Sequence, residues 1–301
     1  MIYYVKMSAK IYDDNNFNAY RRSLVFIIRS MVNYKKMQEL REFLHSNSLR
    51  RDILSAHPAI YEQVTRCIFY RGSTFSQRMA LIKEHLFFFE NKLTQDAIRQ
   101  IYMGKGITIW ESDYHGESIS LELCLFHTYY REGMMGLVLK IGGYAAYTVT
   151  FWVELNKKGE PILKIGALQG TREGLKINRE ITKYFFGYRP KNFILFGLRT
   201  FAEELSIKQI FAVSDYGYYA NNHIRLNRKL KTSLDIFWNE TGGSVCDDPC
   251  FFELPINESR KTIDEVVSHK RNYYRKRFAL LDEIGVAIKQ SLDLHTKKSI
   301  S

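Results

Sequence analysis

Proline is scarce in this chain, five in 301 residues, and no stretch rich in proline, glycine and serine divides it into halves. Nothing in its punctuation therefore marks a flexible linker between two separately folded units. Cysteine is nearly as rare: four residues, at 67, 124, 246 and 250, too few and too scattered for a disulfide framework. Long apolar runs are missing as well. The run Leu24–Ile28 is closed by Arg29, far short of the roughly 20 residues a membrane-spanning helix needs. The opening MIYYVKMSAK has no basic segment followed by a long apolar one, so no secretory signal is expected. These absences predict a reducing, cytoplasmic setting, with peripheral attachment to the inner membrane left open.

Two chemistries lack their residue patterns. Cys246-Asp-Asp-Pro-Cys250 has no second Cys or His pair to complete a tetrahedral metal site, and the eight histidines are dispersed, so no metal is expected. No Ser/His/Asp ordering or nucleophile elbow stands out. His57, directly before Pro58, reads as a turn residue and not as a base. There is no internal repeat.

What the chain does have is charge and aromatics. Tyrosine and phenylalanine number 20 each within 46% hydrophobic content, enough for one large core. The net charge is +12 and the pI about 9.4. Such a balance favours a polyanionic neighbour, whether nucleic acid, an acidic membrane face or a phosphate-bearing substrate, or else simply a solubilising surface.

Periodicity divides the chain into an N-terminal helical section over 1–103, an α+β core over 104–290 and a polar tail over 291–301. Within residues 17–103, Leu24, Ile27, Ile28, Met31 and Val32, then Met37, Leu40 and Leu44, recur near helical spacing. Arg21, Arg22, Arg29, Lys35, Lys36 and Arg41 lie between them. This is either a basic amphipathic helix on acidic lipid or a helix packed on its own domain, and the second is the ordinary expectation. From Ile107 the period becomes two. ITIW, SISLELCLF, GLVLKIG and AAYTVTFWVEL predict an antiparallel meander of four or five strands, with hairpin-sized breaks at Asp113–Glu117, Arg131–Gly133 and Asn156–Gly159. A buried strand Ile162–Leu168, two helical segments and a strand Gln209–Ser214 follow. HIRLNRKL is a short basic helix candidate. TSLDIFWNE and CFFELP read as two strands, and residues 260–290 as a final helix.

IGALQG, TKYFFGYRPKNFIL, FW with FFELP, and KRNYYRKR occur in an order that resembles the VirK/YbjX family of enterobacterial proteins, across most of 57–284. The resemblance implies a virulence-associated accessory protein, linked to surface display of outer-membrane virulence factors, envelope remodelling and resistance to cationic antimicrobial peptides. The order of helices, meander and strand–helix–strand also resembles the GNAT acyltransferase fold. There a central strand ends at a glycine turn, and the next helix N-terminus binds the pyrophosphate of coenzyme A. In this chain Ile162–Leu168 would be that strand, Gln169, Gly170 and Gly174 the turn, and Ile210–Val213 the splayed neighbour. The GNAT turn is more compact than Gln169–Gly174, and Leu175–Pro190 intervenes before the second helical segment.

These readings give one candidate anion site and two competing functions. Gln169, Gly170 and Gly174 would bind an acyl-CoA or acyl-carrier donor, since glycine lets backbone N–H groups approach phosphates. Arg189, just ahead of a proline-started helix, would add a guanidinium, rimmed by Arg172, Lys183 and Lys191, or would instead pair with a carboxylate such as Glu203. Asp215, Tyr218 and Tyr219 at a strand end are acid–base candidates. The basic run from His269 to Arg277 wraps its helix and forms no groove, so nucleic acid is not the expected partner. The protein is then either an acyltransferase modifying an envelope component, or a non-enzymatic chaperone or assembly factor for an exported outer-membrane protein.

Overall fold

Short polar side chains decide where the N-terminal helices begin. In the computed structural model, which describes residues 2–14, 16–125, 127–171, 174–221 and 232–297, Asn16 accepts from the Ala19 N–H and opens α2 (Phe17–Val32). Asn47 opens α4 (Ser48–Ala56) through the Arg50 N–H. Thr74 and Gln77 form a reciprocal capping box on α6 (Phe75–Lys92), and Thr94 caps α7 (Gln95–Met103). With α3 (Tyr34–His45) and α5 (Ile60–Thr65) they make residues 17–103 mostly helical, as the periodicity predicts. A further helix, α1 (Ile2–Ile11), precedes them.

The α2 helix departs from its expected packing. Ala19, Phe26 and Ser30 form its buried strip, and the Ser23 hydroxyl donates to Ser8 of α1 at 3.0 Å. Small residues on that side let α1 approach closely. Of the apolar residues at helical spacing, Ile27 is partly buried against the core, whereas Leu24, Ile28, Met31 and Val32 are turned to solvent.

β-branched and aromatic alternation then builds the sheet. Strands β1 (Ile107–Tyr114), β2 (Glu117–Cys124), β3 (Met135–Ile141), β4 (Tyr144–Leu155) and β5 (Pro161–Gly170) form the expected antiparallel meander. The β1–β2 turn is tight because His115 and Gly116 both take left-handed φ, 53° and 81°. The β2–β3 connection, Leu125–Met134, is longer than the hairpin predicted at Arg131–Gly133. Helices α8 (Gly174–Tyr184) and α9 (Pro190–Glu204) then cross over to β6 (Gln209–Val213), which pairs parallel to β5. After α10 (Leu234–Glu240), the hairpin β7 (Ser244–Val245) and β8 (Phe251–Leu254) completes the order β1-β2-β3-β4-β5-β6-β8-β7. The fold is α+β, a helical section followed by a mostly antiparallel mixed sheet with packed helices.

Both faces of the sheet are covered. On one, Phe201 of α9 stacks on Phe89 of α6 and tilts against Phe151 of β4. On the other, Trp152 packs on Phe69 and Tyr70. A single cluster of buried side chains runs from Tyr4 to Leu292.

Two expectations near the C-terminus are corrected. TSLDIFWNE is the helix α10, because Ser233 caps it through the Ile236 N–H and Asp235 sits in its first turn. The final helix, α11, spans Arg271–His295, not 260–290. Thr262 and Glu265 cap a turn that does not propagate, since the Glu265 carboxylate takes the Thr262 N–H at 2.7 Å. At its far end α11 buries Leu292, so helix occupies the start of the stretch predicted as a polar tail. The HIRLNRKL helix candidate and residues 298–301 lie outside the described residues.

Candidate functional site

Strand β5 pairs with β4 along its whole length but with β6 only from Ile162↔Gln209 to Ile165↔Ala212. The β5–β6 ladder ends there, since β6 itself stops at Val213 while β5 runs on to Gly170. At that point β5 carries a bulge: Thr150 pairs with Ala167 and Phe151 with Ile165, skipping Gly166. A Cβ on Gly166 would stand 1.7 Å from the Glu132 carbonyl oxygen and 3.1 Å from the Trp152 ring. Only glycine lets the 129–134 loop lie against the strand here.

That loop delivers Glu132 to this end of β5. The side chain is 3% exposed. Gln169, near the end of β5, donates its Nε2 to both carboxylate oxygens, at 2.8 and 2.7 Å. Tyr218, just beyond β6, donates its hydroxyl to Oε1 at 2.7 Å. One carboxylate thus ties the end of β5 to the segment that follows β6. Burial pushes its pKa up to about 7, against the lowering pull of the Tyr218 and Gln169 hydrogen bonds and the Arg131 charge. A carboxyl group held near neutrality at a strand end has the proton affinity of a general base. The Tyr218 hydroxyl is pushed well above the ordinary phenol range, by burial first and then by Glu132, so it stays a donor.

The surrounding loop is stitched in place. Arg71 N–H donates to the Gly217 carbonyl at 2.8 Å, and the Gly217 N–H to Ser214 Oγ at 2.9 Å. Asp215 caps α10, taking the Leu234 N–H at 2.7 Å and the Ser233 hydroxyl at 2.5 Å. Cys250 is buried and hands its carbonyl to the Ser214 N–H, and the described cysteines are all free.

The sequence-nominated anion site is dispersed. Gln169 turns to Glu132. Gly170 lies under the Tyr147 ring, where a Cβ would come within 2.9 Å of it. Gly174 begins α8, four positions beyond the end of β5. Arg189 reaches away to Glu240 at 2.5 Å, and Glu203 pairs instead with Lys289 at 2.9 Å. One thread joins them: the Arg189 charge is felt at the Tyr147 hydroxyl, which Asn178 of α8 also contacts at 3.1 Å. Lys191, over the Phe237 ring at 3.9 Å, is lowered to about 8 by burial and then by Arg189. Lys183 makes no contact in this group, and Arg172 lies outside the described residues.

Of the acid–base candidates, Tyr218 reaches the centre of the site and its carboxylate partner is the residue that sequence reasoning missed. Glu132 sits in a stretch that read as a simple break. The signal that could have pointed to it is Gly166: a glycine inside an apolar strand marks a bulge or a close backbone approach.

The sequence matches, over residues 15–290, the family described as a protein of unknown function, DUF535, and the chain belongs to that family. It is 31% identical over 176 residues to the uncharacterised protein YbjX of Escherichia coli K12, covering 56% of this chain and 52% of YbjX. The chain thus matches about half the length of that relative. An uncharacterised protein of Haemophilus influenzae is 25% identical over 272 residues, covering 89% of this chain and 88% of the relative. Both are consistent with the VirK/YbjX resemblance.

Proposed function

We propose that this DUF535 member is a GNAT-like acyltransferase acting on a cell-envelope component from the cytoplasmic side or the inner-membrane periphery. The observation that carries the reading is a buried carboxyl group of pKa about 7, held between Gln169 near the end of β5 and Tyr218 beyond its parallel partner β6. In this reading Glu132 accepts the proton of the attacking amine or hydroxyl. Tyr218 and Gln169 hold the carboxylate and swing aside on substrate entry. The donor supplies a thioester carbonyl: the amine or hydroxyl bonds to it, the C–S bond breaks, and the departing thiolate takes up the proton that Glu132 holds. Its phosphates would meet the first turn of α8, which carries no acidic residue, while the Thr171 N–H is already taken by the Ala146 carbonyl at 3.1 Å. Arg189, paired with Glu240 at 2.5 Å, would have to exchange that half-exposed carboxylate for a donor phosphate to take part. The envelope role, including surface display of virulence factors and resistance to cationic peptides, follows from the family resemblance.

The test is a screen of the purified full chain against acyl-CoA and acyl-carrier donors, by thermal shift and by transfer. A donor should raise the Tm of both the native protein and Glu132→Gln, and only the native protein should transfer. A general base is worth about 10²–10⁴ in rate. If no donor class binds, the enzyme reading falls. The second reading, a chaperone or assembly factor for an exported outer-membrane protein, is favoured by the exposed apolar stripe of α2. It predicts capture of unfolded client by native protein and Glu132→Gln alike.

A further inference from the structure

Along α2, three faces are distinct. One packs on the core through Ala19, Phe26 and Ser30. A second is apolar and open: Phe17 is 80% exposed, Leu24 59%, Ile28 52% and Met31 49%. The spacing 17, 24, 28, 31 keeps these side chains on one stripe. Ile2 and Val5 of α1 are exposed too. Scattered apolar residues on a surface are ordinary, but a continuous stripe of this kind marks an interaction face.

The third face is cationic. Arg21, Arg22 and Arg29 lie between the stripe and the core, and all three border a cavity of about 280 Å³ whose wall is completed by Arg66 and Arg131. Five arginines therefore line one small space. Among the described residues only Arg66 of the five has an ion pair, with Glu62 at 2.5 Å. Arg29 donates to the Thr65 carbonyl at 3.0 Å and Arg131 to the Tyr130 hydroxyl at 3.2 Å, so the one Glu62 carboxylate, whose charge also acts on Arg131, faces several guanidinium groups. Like charges gathered this way repel one another, and an anion offering several oxygens relieves that repulsion with charge-assisted, bidentate bonds. Phosphate esters have this geometry, and the volume suits a headgroup better than a large ligand.

We propose that the α1–α2 face docks on a bilayer containing anionic phospholipid, with the apolar stripe seated at the level of the acyl chains and a lipid phosphate held in the five-arginine cavity. The arrangement is that of a helix lying in the interface plane, cations flanking an apolar stripe. No described helix is long and apolar enough to cross a membrane, so the attachment is peripheral. A second copy of the chain is the poorer occupant, since a two-fold contact would set the same arginines against each other. An unfolded protein client would use the stripe but leave the cavity unexplained. The inference stands independently of acyl transfer.

Vesicle flotation of the full chain tests it. Binding to phosphatidylcholine vesicles with added phosphatidylglycerol should exceed binding to phosphatidylcholine alone by tenfold or more and weaken with salt. Arg21→Ala and Arg22→Ala should each weaken it roughly fivefold. Leu24→Asp with Ile28→Asp should abolish it with the melting temperature unchanged, because both side chains are already in solvent. Three results would overturn the proposal: equal binding to both vesicle types; glycerol phosphate raising the Tm through Arg22 without any vesicle binding, which would make the cavity a site for a free phosphate ester; and self-association of the native chain that the Leu24→Asp, Ile28→Asp variant removes.

Discussion

Helices α9 and α2 carry comparable loads of large apolar residues, and the fold treats them in opposite ways. In α9, Phe193, Ile194, Leu195, Leu198 and Phe201 are all buried. In α2, Phe17, Leu24, Ile28, Met31 and Val32 stay outside while a strip of small residues and one phenylalanine faces in. The sheet, α6 and α11 give α9 cover on several sides, whereas α2 meets chiefly α1, α3 and α5. Amphipathic periodicity locates an apolar face; it does not say whether this chain or something else covers it.

The largest expected effect lies on the packed side of that contrast. Phe201→Ala should cost about 3–5 kcal/mol, since the ring is fully buried between Phe89 and Phe151 and its loss leaves a cavity. Leu24→Ala on α2 should stay within about 0.5 kcal/mol. Denaturant unfolding of the two variants compares the regions directly. A cost for Leu24→Ala approaching that for Phe201→Ala would show the stripe to be covered, and the contrast would collapse.

The next effect is a pH dependence set by Glu132. The folded protein holds this proton up to about pH 7, while the unfolded chain releases it near the ordinary glutamate value of about 4.3. Between those values the folded state binds more protons. Its contribution to stability is therefore full below about pH 4.3 and is lost as pH rises through 7, a fall of at most about 4 kcal/mol. Glu132→Gln, with the Gln169 amide turned over to accept, should flatten that slope and leave the variant the more stable protein at pH 8. Unfolding curves from pH 5 to 8 measure both. An unchanged slope in Glu132→Gln would place the titration elsewhere.

How much of this was legible in the sequence follows from which forces are local. The meander, the proline-started α9 and the strand–crossover–strand unit were readable because alternation and helix starts are written in neighbouring residues. α10 was misread because LDIFW alone suits a strand as well as a helix, and the Ser233 cap and Asp235 tip the balance. The site was half legible. Gln169 and Tyr218 were nominated from strand ends, but Glu132 reaches them from 37 and 86 residues away. No periodicity encodes such a pairing. Arg21, Arg22 and Arg29 were legible as the basic side of the α2 pattern, but Arg66 and Arg131 come from elsewhere in the chain and no periodicity predicts that they meet it.

Gly166→Ala is the next step down, and it probes the join that brings Glu132 to the sheet. The added methyl would overlap the Glu132 carbonyl, so the 129–134 loop must shift, at about 1–3 kcal/mol. The displaced carboxyl should also lose its hydrogen bonds from Gln169 and Tyr218 and titrate closer to the ordinary glutamate range as water reaches it. Carbon-detected NMR titration of the glutamates reads this. A stable Gly166→Ala protein with Glu132 still titrating near 7 would mean that the loop and not the bulge positions the site.

The smallest effect is expected at Arg189, and it sharpens the comparison by showing that the packed region has a weak edge of its own. Arg189 and Glu240 form a close pair at the start of α9, yet their side chains are 55% and 45% exposed. Water screens such a pair and the long side chain loses entropy in holding it, so Arg189→Ala should change stability by no more than about 1 kcal/mol. Its electrical consequence is easier to see. Lys191 is held down to about 8 by burial and then by the Arg189 charge, with Glu240 and Asp215 pulling the other way. Removing Arg189 takes away a like charge and leaves Glu240 free to act on the lysine alone, so the Lys191 amine should titrate higher. Selective isotope labelling of the lysine side chains would follow that titration. A Lys191 that stays near 8 in Arg189→Ala would assign its depression to burial alone, and a loss of several kcal/mol would make the Arg189–Glu240 pair part of the packed structure after all.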